Sequence, residues 1–246
     1  MLSDEQIEHC GQQYVAQLRA LRDAVEKRIL PAFANVSNEG DAIMEGVFQQ
    51  RALEGGGHAP DYDSFQDSEV AEAARFEHFD LMTRIEQSLI NAMVVTTSQL
   101  FEQQLTSLVR RVYPPLEKKA PKELADKPRD SFKSIVKERS NVDLDGLPEW
   151  AKAEELRFVA NAIKHADGGS AAEYVRLHRP DLLVPPSLRR EGKLDTSHRS
   201  DSLEFPALGE DIYVTPAQLA EYLVALCSFW DAFPAKFREC RRPLTF

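Results

Sequence analysis

Apolar side chains recur along most of this chain at the three-and-four-residue spacing of helices with one buried face. The first run is Ile7, Tyr14, Leu18, Leu21, Val25 and Ile29. It follows Ser3-Asp4-Glu5-Gln6, a capping box with Ser at the N-cap and Gln three positions on, and Pro31 closes it. Residues 35–67 differ, with Gly55-Gly56-Gly57, several acids and few regularly spaced apolar side chains. They predict a short helix near 42–53 and then an acidic loop. The strongest periodicity comes next. Met82, Ile85, Leu89, Met93, Leu100, Phe101, Leu105, Leu108 and Val112 predict one stripe on a long helix that ends before Pro114-Pro115. A Lys-rich connector at 118–127, a short helix at 131–139 and a turn-like stretch at 141–146 follow.

Pro148 is placed as the first residue of another helix, over 148–166, with Gly168-Gly169 as its stop. Ser170-Ala171-Ala172-Glu173 reads as a second capping box, opening a short helix that Pro180 ends. Residues 184–208 lack periodicity and predict a long loop. Thr215-Pro216-Ala217-Gln218 is a third capping box. Its helix carries Leu219, Tyr222, Leu223, Leu226, Phe229, Trp230 and Phe233 as a core stripe until Pro234 bends or ends it. Residues 211–214 are the one strand candidate, and no internal repeat is visible. The expected fold class is therefore all-α, a helical bundle over residues 69–246 with an N-terminal helix and acidic loop over 1–68 as an appendage.

Composition narrows the function classes. A length of 246 residues, 43% hydrophobic and 28% charged, is that of an ordinary globular chain with a sizeable core. The net charge of −10 argues against coating nucleic acid through a basic surface, although it leaves room for a local basic cleft. Cys10, Cys227 and Cys240 are odd in number and without CxxC spacing, which points to reduced thiols. The opening residues run straight into an acidic amphipathic pattern, and apolar stretches such as 92–95 are too short to cross a bilayer. A cytoplasmic chain with no membrane partner is expected.

The helix at 148–166 carries the candidate chemistry. At about 100° per residue, with Arg157 at zero, Asn161 falls near 40°, Glu154 near 60° and His165 near 80°. Lys164 lies about 20° to the other side, while Leu156, Val159, Ala162, Ile163 and Ala166 occupy roughly 140–260°. One face is thus set for the core, and the other presents Glu154, Arg157, Asn161, Lys164 and His165. Asn161 is a poor helix former at a mid-helix position. His165 lies in the last turn, where the helix dipole favours cations. Arg157 and His165 are about 12 Å apart along the axis, so closing both on one phosphate needs the long Arg side chain to reach down or a second helix.

The run Glu155-Leu156-Arg157-Phe158-Val159-Ala160-Asn161-Ala162-Ile163-Lys164-His165, followed by Ala166-Asp167-Gly168-Gly169, resembles the signature helix of the HEPN superfamily of helical bundles. The upstream Leu100-Phe101-Glu102-Gln103-Gln104-Leu105 is similar to that superfamily's first core helix, and the helix around 214–233 to its last. The resemblance spans roughly residues 82–233. It implies a metal-independent RNA endonuclease of a bacterial toxin–antitoxin or phage-defence system, acting as a homodimer whose two motifs face one cleft. Mapped onto this chain, His165 would move protons, Arg157 would stabilise the phosphorane-like charge and Asn161 would orient them. Lys164 and Glu154 would contact substrate. The superfamily motif is Arg, four to six residues, then His; here seven residues separate Arg157 from His165, and Phe158, Val159 and Ala160 stand where the Arg would be. A non-catalytic HEPN-like module that binds a partner protein or a nucleotide is the alternative implied.

Other constellations add little. His9, His58, His78, His178 and His198 show no metal-ligand spacing, and no phosphate-binding glycine loop is present, so neither a metal nor a cofactor is expected. Asp61, Asp63 and Asp67 lack the Gly and terminal Glu of a calcium loop and read as a solvated loop. Arg51 and His58 meet the Arg-to-His spacing, but the glycine run between them keeps them off one helix. Arg238, Arg241 and Arg242 form a small basic tail.

Overall fold

A computed structural model describes residues 3–54, 64–112, 128–167, 169–190, 193–194 and 202–240. Its helices are α1 (Asp4–Ala24), α2 (Val36–Glu54), α3 (Ser64–Val112), α4 (Pro128–Ser140), α5 (Pro148–His165), α6 (Ser170–His178) and α7 (Pro216–Cys240). Two residue pairs, β1 (Arg189–Arg190) and β2 (Lys193–Leu194), form a minimal antiparallel ladder. The fold is all-α.

Local chemistry sets the helix ends. Ser3 and Gln6 cap α1 reciprocally: Gln6 N donates to Ser3 Oγ at 3.2 Å and Ser3 N to Gln6 Oε1 at 2.8 Å. Thr215 and Gln218 repeat the arrangement at α7. Ser170 does not: it is the first helical residue of α6, and the N-cap is Gly169 at φ +86° with no side-chain cap. Helix α5 stops at Ala166, which takes a positive φ of 52°, ahead of the expected glycine pair. Between α1 and α2 the chain stays helical through a π turn at Val25–Ile29 and a 3-10 turn at Leu30–Phe33, so Pro31 tightens the path without opening a loop.

One hydrophobic core joins α1, α3, α4, α5, α6 and α7. At its centre Phe101 meets Phe229 edge-on at 5.3 Å, and Trp150 stacks on Phe132 at 6.1 Å. Ile7, Cys10, Tyr14, Val15 and Leu18 of α1 belong to the same core, so a boundary at residue 68 runs through a single packed unit. α1 reaches α7 closely because Gly11 has no Cβ. A methyl there would lie 3.0 Å from Trp230 O, the carbonyl that Pro234 leaves without its helical donor. Pro234 lies inside α7, which continues to Cys240. Gln104 is buried where the three helices meet; it accepts from Trp230 Nε1 at 2.7 Å and donates to Gln17 Oε1 at 3.0 Å.

What stands away from the core is α2 with the first half of α3. Helix α2 runs the full Val36–Glu54, longer than residues 42–53, and packs lengthwise on α3. Helix α3 has 49 residues and begins at Ser64, well ahead of the first apolar side chain of its expected stripe. Asp67 is buried beside Arg51 at 2.6 Å, so it belongs to this hairpin and not to a solvated loop. Within the expected stripe Phe101, Leu105 and Leu108 are buried, but Ile85 and Leu89 are exposed. They lie about 120–160° round the helix from Phe101, and the bundle covers the Phe101 side. Residues 211–214 form no strand; they pass beside 180–183 through Tyr213 N to Leu182 O at 2.8 Å. Asp61, Asp63, His58, His198, Arg241, Arg242 and the connector 118–127 lie outside the described residues. Cys10 and Cys227 are free thiols. Among the described residues no helix is long and apolar enough to cross a membrane.

Candidate functional site

Helix α5 buries Trp150, Ala153, Leu156, Val159, Ala160, Ala162 and Ile163, which leaves the face of Glu154, Arg157, Asn161, Lys164 and His165 outward. These five side chains share a face but do not converge. Arg157 donates through Nε and Nη2 to the single oxygen Glu154 Oε2, at 3.1 and 2.8 Å. Its guanidinium carbon lies 4.5 Å from the Phe158 ring. Because Glu154 is one turn nearer the N-terminus, this pairing draws the guanidinium away from His165. Asn161 is half-buried and Lys164 and His165 are exposed; no hydrogen bond or ion pair joins these three side chains to a described residue.

Glu154 faces a second, hidden cation. Arg129 of α4 is almost wholly buried and lies 3.6 Å from Glu154 Oε1. It donates to Glu102 Oε1 at 3.2 Å, to Ser98 Oγ at 3.1 Å and to the Ala153 carbonyl, and its guanidinium covers the Phe101 ring at 5.3 Å. Burial pulls its proton affinity down, and Glu102 and Glu154 oppose that. In the file Glu102–Arg129–Glu154–Arg157 only Arg129 is buried, and removing either carboxylate would leave its charge less compensated. Nothing in the sequence marks Arg129, since one Arg at a helix start beside a basic connector looks solvated.

Glu155, the next residue, gathers three donors on one oxygen. Its Oε1 accepts from Lys152 at 3.0 Å, from Tyr222 Oη at 2.7 Å and from Arg179. Arg179 also grips Asp181 with two bonds, at 3.0 and 2.9 Å, and Gln218 donates to Asp181 Oδ2 at 2.8 Å. Burial opposes ionisation of Glu155, but the Tyr222 and Lys152 hydrogen bonds and the Arg179 charge outweigh it and hold its proton affinity low. Burial pushes Tyr222 the other way, strongly up. This clasp joins α5, the turn at Pro180–Leu183 and α7.

On the other flank Phe158 stacks on Tyr174 of α6 at 4.2 Å and 11°, and Tyr174 meets His178 at 4.7 Å. Position 158 is therefore a packing position. Just past His165, Asp167 accepts from Leu203 N at 2.9 Å and from Arg176, which ties the stretch 202–214 to the end of α5.

A separate concavity of about 710 Å³ lies between α3 and that stretch, with Phe79, Thr83, Glu86, Pro186, Glu210 and Tyr213 among its walls. Amides of α3 hold that stretch in place. Asn91 Nδ2 donates to Pro206 O at 2.6 Å and Ile212 O at 3.0 Å, and Gln87 Nε2 donates to Val214 O at 3.0 Å. Gly209 sits on α3 at φ +76°, where an added Cβ would lie 2.6 Å from Gln87 Cβ. Neither amide was singled out from sequence; both break the apolar pattern at i and i+4, a signal for buried polar seats. Arg51, the alternative partner of His58, is taken by Asp67. Among the described residues no group of three or more His, Cys, Asp or Glu is placed to hold a metal ion.

Compared with known protein families, characterised proteins and solved structures, the chain matches none.

Proposed function

We propose that this chain is a non-catalytic HEPN-like interaction module that binds and regulates a partner protein. The observation that carries this reading is the disposition of Arg157, paired with Glu154 and drawn up the helix from His165. Cleavage by 2′-hydroxyl attack needs a cation and a proton-transfer group within hydrogen-bond reach of one phosphate. Here the cation is neutralised and about 12 Å up the axis from the imidazole. The test is incubation of the purified chain with mixed RNA in EDTA. The expected result is intact RNA for wild type and His165→Ala alike. Cleavage by wild type that His165→Ala abolishes would overturn the reading.

A second reading, a metal-independent RNA endonuclease, is favoured by Asn161, Lys164 and His165, which share the outward face of α5 and have no hydrogen bond or ion pair to a described residue. It requires a second copy to bring its own Arg157 across a shared cleft. In that case Glu154→Gln, which frees Arg157, raises cleavage; under the first reading it produces none.

A further inference from the structure

The face of α3 that fills the bundle does not end where the bundle ends. Ile90, Val94, Phe101, Leu105 and Leu108 are buried and lie within about 60° of one another around the helix. The same face continues toward the N-terminus as Thr83, Phe79 and Phe76, within about 80° of the rest. There no described element covers it, and Phe76 and Phe79 are 60% and 53% exposed. Two concavities meet at Phe79. One of about 200 Å³ lies between α2 and α3 beside Val36, Gly40 and Phe76. The other is the 710 Å³ cleft that reaches Glu86 and Tyr213. From Phe76 to Ile90 the groove runs about 21 Å, some four turns of a helix laid along it.

Charge selects the occupant. Across residues 36–54 and 64–90 there are ten carboxylates and three arginines. All three arginines are already paired: Arg51 with Asp67, Arg75 with Asp41, and Arg84 with Asp80 and Glu210. Glu86 lines the cleft half-buried with no hydrogen bond or ion pair to a described residue. A second copy would bring one acidic arm against another.

We propose that this groove docks a basic amphipathic helix of a partner protein, with its apolar side chains on Phe76 and Phe79 and a Lys or Arg on Glu86. The proposal rests on the interaction-module reading and supplies its partner chemistry. The burial that raises the Glu86 proton affinity is an unfavourable feature of the free chain, and an incoming cation reverses it.

The probe is a labelled synthetic helix of about 18 Leu and Lys residues with Leu at i, i+3, i+4 and i+7, titrated by fluorescence anisotropy at physiological salt. Wild type is expected to bind it, and Phe79→Ser to weaken binding about tenfold. Glu86→Gln should weaken it about threefold, and Thr83→Lys, which sets a cation on the exposed wall, by at least as much. Glu173→Gln, the same loss of charge on distant α6, should leave affinity unchanged. Thr83→Lys keeps the test decisive if Phe79→Ser fails to fold. Equal affinity of wild type and all groove variants would overturn the proposal, because it would mean simple attraction to an acidic chain. So would equal binding of a Leu/Glu helix of the same pattern, or sedimentation showing a wild-type dimer that Phe79→Ser dissociates. Absence of peptide binding with RNA left intact defeats the docking site alone. RNA cleavage that depends on His165 defeats the interaction-module reading instead.

Discussion

Helix α3 carries the same chemistry at both ends and meets two different fates. From Ile90 to Val109 its apolar face is the spine of the bundle, with Phe101 fully buried among Trp150, Phe229 and Trp230. From Phe65 to Leu89 it is an arm with α2 along it and the 205–214 stretch against its last turns, and Phe65, Phe76, Phe79, Leu81, Ile85 and Leu89 remain exposed. Amphipathic spacing says which side of a helix is apolar; whether anything lies against that side is decided by elements far away in sequence. The arm's burden of carboxylates keeps such a surface in solution, as charge does for exposed apolar edges generally.

The widest contrast is between two phenylalanines on this one helix. Phe101→Ala removes a ring from a closely packed aromatic cluster and should cost about 3–5 kcal/mol of unfolding free energy. Phe79→Ala removes a ring already half in water and should cost less than about 1 kcal/mol. Urea unfolding of both variants reads the difference, and similar losses would mean that the arm is packed as tightly as the core.

The junction between the halves should give intermediate effects. Asn91→Ala leaves the Pro206 and Ile212 carbonyls without their buried donor and should cost about 1–3 kcal/mol. Gly209→Ala combines a left-handed backbone with a contact against Gln87 and should cost a similar amount, about 1–3 kcal/mol. Each variant should also loosen the cleft wall, seen as faster amide exchange at residues 205–214. Normal exchange there with full stability would show that the loop is seated by something other than α3.

Particular residues show how far the sequence could be read. The capping boxes at Ser3 and Thr215, the Pro148 start and the core side of α5 were legible, because each is decided within one or two helical turns. The box at Ser170 was misread, because the positive-φ backbone at Ala166 and Gly169 moves the helix start. The stripe through Ile85 and Leu89 was misassigned because these residues lie about 120–160° round α3 from Phe101, on a side that no described element buries. On the candidate site, the shared polar face of α5 and the distance along it from Arg157 to His165 were legible, but the pairing of Arg157 with Glu154 was not. Arg129 reaches Glu154 from another helix, and no local pattern announces a contact of that kind.

A smaller effect distinguishes the arm's chemistry from its packing. Burial raises the Glu86 carboxyl above its ordinary value of 4.5. Below 4.5 folded and unfolded chains are both protonated there, and the group contributes nothing to the pH dependence. As pH rises past that value the unfolded chain ionises first, so the folded chain loses stability until its own carboxyl has ionised. Glu86→Gln should therefore be more stable than wild type at neutral pH, with the gain vanishing in acid. A stability gain accompanied by weaker peptide binding marks a residue kept for contact and not for folding. A loss of stability at neutral pH would instead reveal a cation beside Glu86 in the folded chain.

The smallest change is expected on the opposite side of the arm. Leu81, Ile85 and Leu89 follow one another at four-residue steps, and Ile85 is 40% exposed. Ile85→Ser exchanges one residue of middling helix propensity for another and uncovers nothing, so stability should stay within about 0.5 kcal/mol of wild type. The measurement is a thermal melt at several protein concentrations, since a chain that pairs through this stripe melts higher when concentrated. Wild type and Ile85→Ser should both melt at a temperature independent of concentration. If only wild type shows a concentration-dependent midpoint, a second copy covers the stripe. The two halves of α3 would then be buried alike, one by this chain's own helices and the other by its twin.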